Sequence, residues 1–132
     1  MPTRSGSPMQ QHEVVIAVVD DDQAIRTALE SLLRASGYQV LSYPGGQAFL
    51  ESEALAQTHC LISDIHMPGM NGLQLHERLC AQGWRIPVIF VTALPSEIHT
   101  RAPGVIACLA KPFQPESLLR HIDIALNQTP LV

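Results

Sequence analysis

The sequence predicts an α/β domain in which one parallel five-stranded sheet carries helices on both faces. Three observations lead there. Five short apolar, often β-branched runs recur along the 132 residues. Helical periodicity fills most of the intervals between them. The runs do not alternate apolar with polar, as expected of strands covered on both sides in a parallel sheet.

The elements follow in order. Val14–Val19 (VVIAVV) is a strand that stops at acids. Ile25, Leu29, Leu32 and Leu33 then form one stripe of a helix, which Gly37 ends. Tyr38–Tyr43 is the second strand. Pro44-Gly45-Gly46 turns into a helix over about Gln47–Leu55, whose apolar stripe is poor. Cys60–Asp64 is the third strand. His66–Gly72 reads as a loop. Asn71 is placed to cap a helix with Leu75 and Leu79 inward and Gly83 at its end. Pro87–Val91 is the fourth strand and closes on Thr92. Ser96 to about Arg101 reads as a short helix stopped by Pro103-Gly104. Val105–Leu109 is the fifth strand and Lys111-Pro112 a turn. Gln114–Asn127 is the last helix, with Pro115 in its first turn. Leu118, Leu119, Ile122 and Leu126 face inward.

Composition narrows the function. Hydrophobic residues make up 46% and charged residues 15%, against about 25% charged in typical soluble domains. That excludes disorder and coiled coil. A net charge of −4 argues against a dedicated nucleic-acid surface, so no direct DNA binding is expected. No apolar run reaches the length of a membrane span. Cys60, Cys80 and Cys108 have no CxxC spacing and read as reduced, buried thiols of a cytoplasmic protein. Residues 1–12 read as a disordered leader without an export signal, 13–128 as one domain and 129–132 as a short tail.

Charge is concentrated. Of five aspartates, three are consecutive, Asp20-Asp21-Asp22, and Lys111 is the only lysine. Asp20–Asp22 follow the first strand, Asp64 ends the third, Thr92 ends the fourth and Lys111 follows the fifth. In a parallel sheet these positions share the carboxyl edge, where ligands bind at the point of strand-order reversal. With order 2-1-3-4-5 that crevice lies between strands one and three, flanked by the aspartates. Clustered carboxylates resist joint ionisation unless a cation joins them. Mg2+ suits one or two carboxylates, waters and phosphate oxygens. A carboxylate beside it can act as a nucleophile toward phosphorus. A lysine can neutralise phosphoryl oxygens and a threonine can hydrogen-bond one.

Four segments carry a family likeness: VVDDDQAIR (Val18–Arg26), SDIHMPGMNGL (Ser63–Leu73), VTA (Val91–Ala93) and KPF (Lys111–Phe113). From about Glu13 to Asn127 the chain resembles the receiver domain of bacterial two-component response regulators, most of all the FixJ/NarL type. The resemblance implies a flavodoxin-like (βα)5 three-layer sandwich. It implies that Asp64 is the phosphoacceptor, taking a phosphoryl group from a sensor histidine kinase or a histidine phosphotransfer protein. Mg2+ would be held directly by Asp21, through water by Asp20, and also by Asp64 and the backbone carbonyl of His66. Thr92 would bond the phosphoryl group and shift inward, Lys111 would contact it, and Lys111-Pro112 would be cis. Small Ala93 would leave access to it.

Two departures stand out. The family's aromatic residue three positions before the lysine is Cys108 here. The stretch from Thr92 to Lys111 is a few residues short, with Pro103-Gly104 where the family's fourth helix would continue. The usual output and dimer face is built there.

Simpler roles compete with these for several residues. Asp22 is as well explained as a helix cap as by chemistry. His12, His59, His76, His99 and His121 show no metal spacing and are expected at the surface, and the His66 ring has no fixed role. Trp84 and the cysteines read as packing, Met67 and Met70 as packing or a partner surface. The reading is a stand-alone phosphoacceptor, not an enzyme, that switches contacts with a downstream protein target, as monomer or homodimer. Its rivals are a receiver that binds partners without phosphorylation and an aspartate-nucleophile phosphatase. The latter needs a substrate cap for which the chain has no spare segment.

Overall fold

The computed structural model describes residues 13–93 and 103–127. The expected leader, the tail and the Ser96–Arg101 helix lie outside them. The described chain runs β1 (Val15–Val19), α1 (Gln23–Ala35), β2 (Gln39–Tyr43), α2 (Gly46–Leu50), β3 (Cys60–Asp64), α3 (Gly72–Ala81), β4 (Val88–Thr92), β5 (Val105–Ala110) and α4 (Pro115–Asn127). All strand pairs are parallel, in the order β2-β1-β3-β4-β5. This is the flavodoxin-like order expected from the sequence.

Each central strand divides its residues between two cores. Side chains alternate across a strand, so Ile16, Val18, Ile62, Ile89 and Val91 pack with Leu29 and Leu33 of α1 and Leu118 and Ile122 of α4. Ala17, Val19, Leu61, Val88 and Phe90 pack on the other face with Phe49 of α2 and Leu75 and Leu79 of α3. Two covered faces explain why these runs stay apolar up to their polar carboxyl ends. Trp84 is half-buried against the second core, where Met67 also lies and Met70 packs.

Local signals set the helix ends. Asp22 caps α1 by accepting from the Ala24 and Ile25 N–H groups. Asn71 and Gln74 form a reciprocal capping box on α3. Gly37, at φ +98°, follows α1 in a left-handed turn that suits a residue without Cβ.

Three expectations are corrected. The second helix ends at Leu50, and a separate 3-10 turn spans Leu55–Gln57. Ser52 ends it: its hydroxyl donates to the Phe49 carbonyl at 2.7 Å and accepts from the Ala54 N–H at 3.2 Å, diverting backbone groups from the helix. Of the cysteines only Cys60 is fully buried, its thiol pushed up to about 12 by desolvation. Cys108 is half-buried and Cys80 is exposed, beyond the inward Leu75–Leu79 stripe. His76 is buried rather than at the surface. Its Nε2 meets the Pro103 carbonyl at 3.0 Å, which only accepts, so Nε2 carries the proton. Its ring meets Phe90 edge-on at 6.3 Å. Among the described residues no helix is long and apolar enough to cross a membrane.

Candidate functional site

The sheet register brings the polar strand ends into one row. Val19 pairs with Ser63 and Asp64 with Val91. One irregularity between β4 and β5 sets Cys108 opposite Phe90 and Ala110 opposite Thr92. Lys111 follows, its N–H donating to the Thr92 carbonyl at 2.8 Å. The peptide bond from Lys111 to Pro112 is cis, as expected.

Asp20, Asp21 and Asp64 each offer a carboxylate oxygen within 4.8 Å of the others. Asp20 and Asp64 are buried at 1% and 6% exposure, and Asp21 is exposed. Lys111 Nζ lies 2.9 Å from Asp20 Oδ2 and 3.4 Å from Asp64 Oδ2. Thr92 is buried at the neighbouring strand end. The structure thus brings Asp20, Asp21, Asp64, Thr92 and Lys111 together at one sheet edge, and Asp22 is the N-cap of α1. His66 lies two residues past Asp64 with its ring exposed.

The electrostatics follow from this crowding. Burial, foremost, raises the Asp64 carboxyl above its ordinary value. The Lys111 charge opposes the rise, the Asp20 charge adds to it, and hydrogen bonds from Lys111 and the His66 main-chain N–H oppose it. Burial alone would lower Lys111, but the hydrogen bond and charge of Asp20, with those of Asp64, hold it above its ordinary value. Three carboxylates around one ammonium leave negative charge uncompensated. The donors are all hard oxygens, and one of the three carboxylates is open to solvent. That set fits a hard divalent cation such as Mg2+, which keeps part of its water.

Several contributors escaped the sequence reading. Gly72 closes the β3–α3 loop by donating its N–H to the Ile65 carbonyl at 2.9 Å. A Cβ there would stand 2.3 Å from the Asp64 carbonyl oxygen, so only glycine fits. Ser63 donates its hydroxyl to the same carbonyl at 2.8 Å. Arg26 Nη1 donates to the Asp20 carbonyl at 2.6 Å. All these contacts reach main chain, which side-chain patterns do not announce; the second glycine of MPGMNG, Gly72, is the one available signal. A cavity of about 740 Å³ lies at the other end of the sheet, lined by Trp84, Arg85, Ile86, Pro87 and Gly104 among others, away from the acids.

The chain resembles known proteins in sequence and in fold. The response regulator receiver domain model matches residues 16–123. The response regulator protein TmoT of Ectopseudomonas mendocina is 38% identical over 125 residues, covering 92% of this chain and 57% of TmoT. The transcriptional regulatory protein FixJ of Bradyrhizobium diazoefficiens is 34% identical over 116 residues, covering 86% and 57%. The chain thus spans little more than half the length of these relatives. The crystal structure of the response regulator protein TrrA from Thermotoga maritima, in complex with Mg2+–BeF, superposes with a TM-score of 0.74 at 26% identity, covering 86% of this chain and 99% of that one.

Proposed function

The chain belongs to the response regulator receiver domain family of two-component signal transduction, and from that premise we propose that it is a Mg2+-dependent phosphoacceptor switch with Asp64 as the acceptor. One observation carries the reading: Asp64 shares a cluster with two further carboxylates and the chain's single lysine. An Asp64 carboxylate oxygen attacks the phosphorus of a phosphohistidine on a sensor kinase or phosphotransfer protein. The P–N bond breaks, its electron pair stays on the imidazole nitrogen, and an acyl phosphate forms on Asp64.

Asp21, Asp64 and the His66 carbonyl would hold Mg2+, with Asp20 acting through water. When bound, the ion supplies positive charge to the phosphoryl oxygens. Lys111 neutralises a second phosphoryl oxygen as a point charge, and the Thr92 hydroxyl hydrogen-bonds another. The resulting charge change biases two conformations and thereby a contact with a downstream protein. The site serves signalling rather than substrate turnover, and a cytoplasmic location is part of this proposal.

The test is intact mass after incubation with acetyl phosphate, with and without Mg2+, in wild type and Asp64→Asn. A single Mg2+-dependent phosphoryl adduct, lost in the variant, is expected. No adduct from a folded wild-type chain, either with acetyl phosphate or with a phosphorylated kinase, would leave binding without phosphorylation as the reading. Cys108, in place of a ring opposite Phe90, is the observation that favours that second reading.

A further inference from the structure

The geometry points to Arg26 as a positioning residue that fixes the direction of the Asp21 carboxylate toward the cation. This rests on the Mg2+ reading proposed above.

Asp21 makes no hydrogen bond of its own that would aim its side chain among the described residues, and it is exposed. The two peptide planes that flank it therefore set its Cα–Cβ direction, the base from which the carboxylate reaches the site. The plane after it is held by the Asp22 N–H, which donates to Asp20 Oδ1 at 2.9 Å. The plane before it carries the Asp20 carbonyl, held by Arg26 Nη1 at 2.6 Å. Arg26 also donates its main-chain N–H to the Asp22 carbonyl at 3.0 Å. One residue in the first turn of α1 thus grips the acidic turn on both sides of Asp21. The Asp20 N–H is anchored to the Tyr43 carbonyl at 3.1 Å, so the turn is fixed to β2 as well. The half-buried guanidinium bond is charge-assisted, a strong and directional type of hydrogen bond.

The proposal has a distinguishing sign. Arg26 is positive and stands beside a cation site. If it acted only as a charge, removing it would tighten Mg2+ binding. If it positions Asp21, removing it loosens binding, as loss of an orienting partner of a metal ligand commonly does by about tenfold or more.

The experiment titrates Mg2+ into the full chain by calorimetry without a phosphoryl donor. Arg26→Gln is expected to weaken the Kd about tenfold. Arg34→Gln, the same charge change in the last turn of α1, is expected to leave it within about twofold because of distance and screening. Equal or tighter binding in Arg26→Gln would overturn the proposal while leaving the metal reading intact. A wild-type chain that binds no Mg2+ would overturn both. A metal-free measurement reads the positioning alone. Exchange of the Asp22 amide is expected to quicken in Arg26→Gln relative to wild type, and unchanged protection would overturn the proposal. Should Arg26→Gln fail to fold, Arg26→Lys keeps the charge without the planar fork. A wild-type Kd in Arg26→Lys with unchanged Asp22 protection would overturn the role assigned to the guanidinium.

Discussion

Asp64 is ionised at a cost that the fold imposes. Its carboxyl is raised by burial, and Asp20 adds to the rise while Lys111 opposes it. The folded chain therefore binds the Asp64 proton more tightly than the unfolded chain does. Stability contributed at this residue is greatest below the ordinary value of 3.8 and is lost as pH rises through the higher folded value. Asp64→Asn should accordingly raise the thermal midpoint at pH 7 by a few degrees, and the gain should vanish near pH 3. Thermal unfolding by circular dichroism at the two pH values checks this; an equal gain at both would assign it to packing. Lys111→Met should act in the opposite direction. It removes the charge that holds Asp64 down, so the Asp64 carboxyl should titrate higher by carbon-detected NMR. These residues were legible because charge is scarce: a lone lysine and a triple aspartate in a chain with 15% charged residues demand an explanation. Arg26 was not, since its decisive bond goes to a carbonyl oxygen.

The β3–α3 connection shows how an element, rather than a residue, sets the site. Asn71 and Gly72 are adjacent but do different work. Asn71 with Gln74 satisfies donors at the start of α3, so Asn71→Ala should cost about 1 kcal/mol and leave phosphoryl uptake unchanged. Gly72 lies against the Asp64 backbone, where a Cβ would fall 2.3 Å from a carbonyl oxygen. That neighbour is main chain and cannot turn aside. Gly72→Ala should cost about 3 kcal/mol, at the upper end for overpacking, and should also slow uptake by displacing Asp64. Urea unfolding and intact mass with acetyl phosphate separate the two. Parallel losses of stability and uptake in both variants would mean that α3 stability alone governs the site. Sequence reasoning found the Asn71 cap because caps have a fixed spacing from their donors. It overextended the second helix because the Ser52 hydroxyl takes up the Phe49 carbonyl, a choice that periodicity does not encode.

At the scale of the molecule, the sheet was readable because its central strands are buried on both faces and its strand ends are polar. Two cores pressed on β1, β3 and β4 require apolar runs up to the strand ends, and a single sequence displays such runs. His76 was misread for the converse reason. A polar side chain can be buried when a distant segment supplies its partner, here the Pro103 carbonyl, and a contact across 27 residues leaves no local trace. The same architecture makes a prediction for the whole fold. The sheet delivers three carboxylates to one place with a single ammonium, so the native state carries a repulsion that the unfolded chain relieves by separating β1 from β3. A cation that binds only the assembled cluster must stabilise the entire domain. At 100 times its Kd, Mg2+ should add about 2.7 kcal/mol to unfolding, seen as a higher midpoint in urea. Asp21→Asn should lose most of this gain, because it removes the solvent-open carboxylate without disturbing the Lys111 pairings. NaCl at matched ionic strength should not reproduce the gain, since screening lacks the ligand geometry. Equal stabilisation by NaCl, or a full response in Asp21→Asn, would mean that the acidic edge responds to ionic strength and holds no specific cation.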